Sequence, residues 1–155
     1  MPNTETPARP KRRLLTTTVR SKERLTPHLV RIVVAGDDLG GFPVGEFTDH
    51  YVKLRLPPPG APYTAPFDPD ELQERLPRDQ WPRTRTYTVQ DFDPETNALT
   101  IDFVVHGDEG IAGPWALSVE VGDTLHLLGP GGAYAPDPDA DWHLLVGDTC
   151  VLPAI

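Results

Sequence analysis

Two side chains in the middle of the sequence could together hold a flat ligand that carries phosphate. Arg85 and Tyr87 lie in a stretch, 83–89, whose residue types are typical of a β-strand. Alternate side chains of a strand share a face, so the cation and the aromatic ring are expected side by side. An isoalloxazine stacks on such a ring, and a guanidinium binds a diphosphate. The pair indicates a flavin dinucleotide; the alternative is an ordinary exposed cross-strand pair.

A glycine-rich turn further along the chain offers a second contact for phosphate. Gly110 and Gly113 flank the start of a short predicted helix over 111–119. The first N–H groups of a helix have no internal partners and lie at the positive end of its dipole, so they bind anions well. Alone, however, such a stretch is also typical of a plain turn.

The elements that must position these groups are mostly strands. Six are predicted, at 14–20, 25–35, 50–56, 84–90, 98–106 and 124–128, with a hairpin connection over 91–97. A short helix is also predicted over 70–76, inside a long proline-rich connection, 57–82. Six strands without βα alternation favour a closed antiparallel barrel, which leaves no exposed edge.

Composition limits the other possibilities. Residues 1–31 contain eight Lys or Arg, whereas the rest carry six basic against 21 acidic side chains, a net charge of −15. That field disfavours nucleic acid as a partner. The basic residues 1–13 are predicted to be a disordered tail, and the sequence has no signal peptide and no membrane-spanning run. The single cysteine, Cys150, excludes an internal disulfide and favours the cytoplasm.

The pattern changes at the end of the sequence. Residues 143–148 form a short apolar run that ends in Gly147 and Asp148, typical of the first strand of a parallel α/β sheet. Residues 152–155 would then begin a helix, with a proline tolerated in its first turn. A lone parallel strand cannot cover both its faces, so we expect this sequence to be the N-terminal part of a longer protein or a product cut at a domain boundary.

A series of motifs in a fixed order carries more information than any one of them. They are Arg85-Thr86-Tyr87-Thr88, Asp102-Phe103-Val104-Val105-His106-Gly107, Gly110-Ile111-Ala112-Gly113-Pro114-Trp115-Ala116, Gly122-Asp123, Gly129-Pro130-Gly131-Gly132, Leu144-Leu145-Val146-Gly147-Asp148 and Leu152-Pro153-Ala154-Ile155. From about residue 14 onward, the sequence resembles the siderophore-interacting flavoproteins of the ferredoxin-reductase-like superfamily. This resemblance implies a mainly β fold, a six-stranded antiparallel Greek-key β-barrel of the FAD-binding type with a short helix. It further implies an FAD-binding barrel over 14–138 and the first strand of a truncated α/β NAD(P)H-binding domain over 139–155.

The resemblance also implies a cofactor site. Arg85 would bind the phosphates, Tyr87 would stack on the ring, and the Thr88 hydroxyl would reach the ring edge. Relatives commonly have serine in place of Gly113, so one phosphate contact is missing here. Trp115 would lie beside the adenine or ribose, or else seal the barrel. The implied FAD-binding residues are Arg85, Thr86, Tyr87, Thr88, His106, Gly107, Gly110, Ile111, Ala112, Gly113 and Trp115.

The implied activity is that of an FAD-dependent oxidoreductase, incomplete in this chain. NAD(P)H held by the missing domain would reduce the flavin, which would reduce a ferric siderophore and release Fe(II). Lys53 and Arg55, on one face of a strand, are candidates for docking an anionic ferric siderophore. No catalytic residue is assigned, and the spacing of the histidines predicts no protein metal site. We expect a monomer with no membrane partner.

Two alternatives remain open at this point. A barrel of this kind could be a binding module for a ligand or a protein, without redox activity, because a fold does not fix a function. The flavin could also serve another acceptor, such as a quinone, a small iron chelate or ferredoxin.

Overall fold

Seven β-strands and two short α-helices make up most of the regular structure in the part of the chain that the structure describes. The computed structural model describes residues 13–43 and 47–155, so the predicted tail lies outside the described residues except for Arg13. The strands are β1 (Leu14–Thr26), β2 (Leu29–Ala35), β3 (Tyr51–Leu56), β4 (Arg83–Thr88), β5 (Asp91–Asp93), β6 (Ala98–Val104) and β7 (Thr124–Gly131). The α-helices are α1 (Pro69–Arg75) and α2 (Ala112–Ser118), and single 3₁₀ turns occupy Asp37–Leu39, Arg78–Gln80 and Leu152–Ala154.

All neighbouring strands pair antiparallel, in the order β4-β3-β7-β1-β2-β6-β5. The two outermost strands are consecutive in the chain and join through a bend at Val89 and Gln90. The N–H of Val89 donates to the carbonyl of His50 (2.7 Å), and the N–H of Gln90 donates to the carbonyl of Thr100 (2.9 Å). β4 and β5 thus form one bent strand: β4 pairs with β3 and β5 pairs with β6, which closes the barrel. The predicted Greek-key barrel is confirmed, with the predicted strand 84–90 ending at Thr88 and β5 added.

Side chains that alternate along the strands fill the barrel interior. Val52, Leu54 and Leu56 of β3 are buried, and the intervening residues of the strand are half-buried. The same alternation holds in β2 and β6, where Ile32 and Ile101 are fully buried cross-strand partners. This is the period-two pattern of strands with one face in a core.

The first two strands divide at a different point from the predicted one. The prediction assigned 25–35 to a single strand, but β1 continues to Thr26 and the chain turns at Pro27 and His28. Proline has no N–H to donate to a ladder, and the Thr26 hydroxyl accepts a bond from the N–H of His28 (3.2 Å). The chain therefore reverses there, and Leu25 belongs to the first strand.

Residues 57–82, which we call the 57–82 loop, fold over the outer face of the sheet. Both predicted helices, α1 within this loop and α2 after β6, are confirmed with each end shifted by one residue. The carboxylate of Asp68 caps α1 by accepting bonds from the N–H groups of Asp70 and Glu71. The 57–82 loop reaches the barrel through Phe67, whose N–H donates to Nε2 of His126 on β7 (3.1 Å).

The predicted strand over 143–148 was wrong for the described chain. These residues form no strand, and the side chains of Trp142 and Val146 are 74% and 82% exposed. A strand needs hydrogen-bonded neighbours, and the barrel offers none there. The predicted helix start at 152–155 is only a 3₁₀ turn. Among the described residues, none of the helices has the length and apolar character needed to cross a membrane.

Candidate functional site

The barrel wall opens between β4 and β6. Arg85 and Tyr87 pair across from Leu54 and Val52, so they lie on the side of the sheet that faces inward. Among the described residues β4 pairs only with β3, so its other edge is not covered by a strand. The side chains of Arg85 and Tyr87 therefore emerge through this opening and do not enter the core. We call this opening the β4–β6 groove; its two connected cavities share Arg85, Tyr87, Val104 and His106.

Tyr87 supplies a flat wall at the centre of the β4–β6 groove. Its ring packs on Phe103 of the core, with 4.5 Å between ring centroids and a tilt of 36°. Burial raises the pKa of Tyr87, as does the nearby Cys150, whereas Arg85 opposes the shift. The phenol is therefore neutral at physiological pH, with one side against the core and the other toward the groove.

Arg85 supplies a positive charge that no described carboxylate neutralises. Its Nη1 donates to the carbonyl of Thr84 (2.9 Å), and the ion pairs of the described residues do not include it. Its side chain is exposed. The guanidinium is thus free to bind a phosphate or another anion in the groove.

The glycine-rich turn forms the far end of the β4–β6 groove. A cavity of about 350 Å³ there is lined by Gly110, Ile111, Ala112 and Gly113, together with Glu109 and the four shared residues. Gly110 has φ +80°, which favours glycine, and no atom lies within 4 Å of a Cβ placed there. Helix α2 begins without a side-chain cap at Ile111, so no capping side chain takes up its first N–H groups.

The other end of the groove is walled by the last residues of the chain. A cavity of about 520 Å³ there is lined by Arg85, Thr86, Tyr87, Thr88, Asp102, Val104, His106, Asp148, Cys150 and Pro153. Arg31 pairs with Asp102 through two bonds, of 2.7 and 2.8 Å, which offsets that acid's charge. Burial and the Asp148 carboxylate raise the pKa of Cys150, so its thiol is a poor nucleophile at neutral pH.

Most of the site residues predicted from the sequence do meet. Nine of them line the β4–β6 groove: Arg85, Thr86, Tyr87, Thr88, His106, Gly110, Ile111, Ala112 and Gly113. Gly107, with φ +61°, lies in the turn after His106 and does not line either cavity. Sequence reasoning did not identify Glu109, Asp148, Cys150 or Pro153 as residues of the groove. Asp102 and Val104 were also missed, although strand alternation placed them on the face of His106.

Trp115 lies outside the groove. Its ring packs on Phe103, with 5.5 Å between centroids, and lines a separate cavity of about 320 Å³ at the end of the barrel. This position agrees with the alternative that Trp115 seals the barrel.

The two residues predicted to dock a substrate do not form one open patch. Lys53 and Arg55 do share the outer face of β3. The 57–82 loop covers Arg55, however, and burial lowers its pKa. Lys53 lines none of the cavities described above.

The β4–β6 groove fits a flavin dinucleotide in size and in chemistry. Its cavities are within the usual range for small-molecule sites, roughly 300–1,000 Å³. The donor set combines a neutral aromatic wall, a free guanidinium and unpaired N–H groups at a glycine turn. A Cβ at Gly110 would project into open space, so the backbone there can approach a ligand closely.

The fold and the groove define a class of protein, the ferredoxin-reductase-like FAD-binding barrels. A ferredoxin NADP⁺ reductase from Neisseria gonorrhoeae, solved with bound FAD and NADP, shares this fold with a TM-score of 0.52 at 13% identity, over 77% of this chain and 39% of that one. Residues 18–134 match the siderophore-interacting FAD-binding domain, and the chain belongs to that family. The predictions of the family, the fold and FAD as the cofactor are confirmed.

Named relatives and solved structures agree with this assignment. The ferric vibriobactin reductase ViuB of Vibrio cholerae is 37% identical, over 86% of this chain and 49% of the relative. The NADPH-dependent ferric-chelate reductase of Escherichia coli is 36% identical, over 89% and 53%. A siderophore utilization protein from T. fusca superposes with a TM-score of 0.72 at 38% identity, over 92% and 53%. The chain therefore spans about half the length of the relatives it matches.

Proposed function

We propose that this chain is the FAD-binding domain of an NAD(P)H-dependent oxidoreductase that reduces ferric siderophores and releases Fe(II). The names of two relatives, a ferric vibriobactin reductase and an NADPH-dependent ferric-chelate reductase, support the reaction class. The observation that carries the proposal is the β4–β6 groove, where an exposed arginine, a half-buried tyrosine ring and a glycine turn face one space.

Each wall of the groove has a role in this proposal. Arg85 binds the diphosphate, for which its unpaired guanidinium is suited. Tyr87 supports the isoalloxazine, and its packing on Phe103 fixes the ring plane before the cofactor binds. Thr86 and Thr88 flank Tyr87 and also line the groove, and Thr88 is proposed to reach the ring edge with its hydroxyl.

The turn before α2 completes the cofactor site. The N–H groups of Ile111, Ala112 and Gly113 are proposed to bind the diphosphate together with Arg85. His106 and Gly107 position this turn, and Gly110 allows it to approach the phosphates. When bound, FAD supplies the chemistry of accepting a hydride and passing on single electrons.

The groove also determines what reaches the cofactor. Asp148, Cys150 and Pro153 cover one end of the groove and limit access by water.

Fe(II) is a softer acceptor than Fe(III) for hard oxygen ligands, so reduction loosens a siderophore's hold on the metal. Of the two candidate docking residues, we retain Lys53, which is half-buried, and not Arg55, which the 57–82 loop covers.

The remaining features of the whole protein belong to the same proposal. We assign 14–138 to the FAD-binding domain and 139–155 to the start of an NAD(P)H-binding domain. The exposed apolar side chains of Trp142, Leu144 and Val146 support that division. A reducing compartment, the cytoplasm, is consistent with the lone Cys150, and a monomeric state stays a prediction.

Titration with FAD tests the proposal. We expect the purified chain to bind FAD, with a red shift of the flavin absorbance and quenching of its fluorescence. Arg85→Ala removes a charged partner worth about 1.5–3 kcal/mol and should weaken binding at least tenfold. Tyr87→Ala should weaken it as well, whereas Tyr87→Phe should retain most of the affinity because the neutral ring remains.

The matched control is Arg83→Ala. Arg83 lies on the same strand and donates to the carbonyl of Asp79 in the 57–82 loop (3.0 Å), away from the groove. Its loss should leave FAD affinity unchanged. A chain that folds but takes up no FAD, or an equal loss from both arginine variants, would overturn the assignment and favour a binding module without redox activity.

A further inference from the structure

A cavity lies on the outer face of the sheet, under the 57–82 loop. Its volume is about 550 Å³, which is enough for a small organic molecule. Nothing in the proposed redox function uses it. We call it the outer-face cavity, and its lining is Leu14, Thr16, Arg55, Phe67, Asp68, Pro69, Asp70, Gln73, His126 and Leu128.

A row of polar side chains crosses four strands, and three of them, Arg55, His126 and Thr16, line the outer-face cavity. In strand register, Thr84 faces Arg55, Arg55 faces His126, and His126 faces Thr16. Nη1 of Arg55 donates to the hydroxyl of Thr84 (2.5 Å). His126 is 3% exposed and accepts from Phe67 at Nε2, so its Nδ1 carries the proton and donates to the Thr16 hydroxyl (3.3 Å).

Arg55 is the unusual member of this row. Among the described residues no carboxylate lies within ion-pair distance of Arg55, and the group that accepts its hydrogen bond, the Thr84 hydroxyl, is neutral. Burial lowers its pKa, although the phenol of Tyr63 partly opposes the shift. A charge that is partly removed from water without an opposite charge destabilises the protein unless an anion joins it.

The rest of the lining limits the charge that this anion can carry. Asp68 and Asp70 line the α1 end of the outer-face cavity, and the carboxylate of Asp68 disfavours a multiply charged anion there. The Asp68 carboxylate already accepts two N–H groups of α1. Between these acids and Arg55 the lining is largely apolar. It therefore suits a ligand with one negative charge and a short apolar body.

We propose that the outer-face cavity binds a small organic monocarboxylate. Its carboxylate pairs with Arg55, and its apolar body packs on Leu14, Phe67 and Leu128. This site is separate from the β4–β6 groove, because alternation places Thr84 on the outer face of β4 and Arg85 in the groove. The inference goes beyond the proposed redox function and does not depend on it.

Isothermal titration with benzoate tests this proposal, with benzamide as the neutral probe of the same shape. We expect saturable 1:1 binding of benzoate and at least tenfold weaker binding of benzamide, because the charge-assisted pair is lost. Acetate, which has the charge but almost no apolar body, should also bind at least tenfold more weakly. Equal binding of benzoate and benzamide, equal binding of benzoate and acetate, or no binding of benzoate would each overturn the proposal.

Variants locate the site. Arg55→Gln should weaken benzoate binding at least tenfold, whereas Lys53→Gln, on the same strand face but outside the cavity, should leave it unchanged. Gln73→Trp fills the rim from an exposed position, leaves Arg55 in place and should also abolish binding. If Lys53→Gln has the same effect as Arg55→Gln, or if Gln73→Trp has none, the ligand binds elsewhere and the proposal fails.

A titration in the presence of FAD keeps the two sites apart. Saturating FAD should leave benzoate affinity unchanged, since the groove lies across the sheet. Competition between FAD and benzoate would refute a separate site. Absorbance reports FAD binding independently of the heat of benzoate binding, so failure of the redox proposal and failure of this one give different results.

Discussion

Restoring a hydroxyl at position 113 tests the proposed diphosphate site most directly. Gly113 is the second residue of α2, and its φ is outside the region that requires glycine. A Cβ placed there would meet the carbonyl oxygen of Val104 and the Cα of Val105 at 3.8 Å, ordinary contact distances. Gly113→Ser therefore fits without moving the backbone, and its hydroxyl lies at the glycine turn of the β4–β6 groove.

Two effects of this substitution can be estimated separately. Replacing glycine in a helix stabilises it by roughly 0.5–1 kcal/mol, so the variant should unfold at a slightly higher urea concentration. A hydroxyl that donates to a charged phosphate contributes about 1.5–3 kcal/mol, equivalent to roughly 10- to 100-fold tighter FAD binding. The assay is FAD titration by fluorescence quenching, together with urea unfolding of the same samples.

Gly113→Ala is the matched control for Gly113→Ser. It adds the Cβ without the hydroxyl, so it should share the gain in stability but not the gain in affinity. If both variants bind FAD equally tightly, the effect comes from the helix backbone and not from a phosphate contact. If Gly113→Ser gains no affinity, the diphosphate does not lie beside this turn. A loss of stability in either variant would contradict the contact distances of 3.8 Å around a Cβ at position 113.

Three further predictions concern the barrel and its covering loop. Leu54→Ala, in the fully buried interior, should cost about 2–5 kcal/mol in urea unfolding, and a cost near zero would contradict the closed core. Burial lowers the pKa of His126 below its ordinary 6.5, so the unfolded chain takes up the proton first. Stability should therefore be complete above about pH 6.5 and fall with decreasing pH, by at most about 1.4 kcal/mol per unit, and His126→Gln should remove this part of the slope. A slope that the variant leaves unchanged would contradict the burial of the ring. Gly132→Ala should destabilise by about 1–3 kcal/mol, because Gly132 has φ +116° and a Cβ there would lie 2.6 Å from the Asp49 carbonyl oxygen. Gly41→Ala, with φ +80° and open space, should cost less, and thermal unfolding should rank the two in that order.

Strand alternation made much of the barrel predictable. The buried residues of β3 and β6 recur with a period of two, because each of these strands has one face in the core. The order of the site motifs along the chain predicted nine of the residues that line the groove, but it wrongly included Gly107 and Trp115 among them. Arg85, Tyr87 and the turn at Gly110 come together because β4 and β6 are the two strands that flank the opening.

The details that sequence reasoning missed depend on long-range contacts. Nothing local to Val89 and Gln90 specifies a bend; their partners are His50 and Thr100, which are distant in sequence. Likewise, the local sequence of the 57–82 loop does not specify where the loop packs. Its hydrogen bond from Phe67 to His126 holds it on the outer face, where it covers Arg55. An apolar run such as 143–148 has strand propensity, but it forms a strand only where a partner exists.

The bend at Val89 and Gln90 joins cofactor binding to the integrity of the barrel. The strand that ends there, β4, carries Arg85 and Tyr87, and the strand that follows, β5, is the outermost strand and pairs with β6 alone among the described residues. A ligand that binds β4 also restrains β5, because the backbone is continuous between the two strands. Amide exchange at Gln90 should therefore slow when FAD binds, and the empty protein should begin to unfold at this junction.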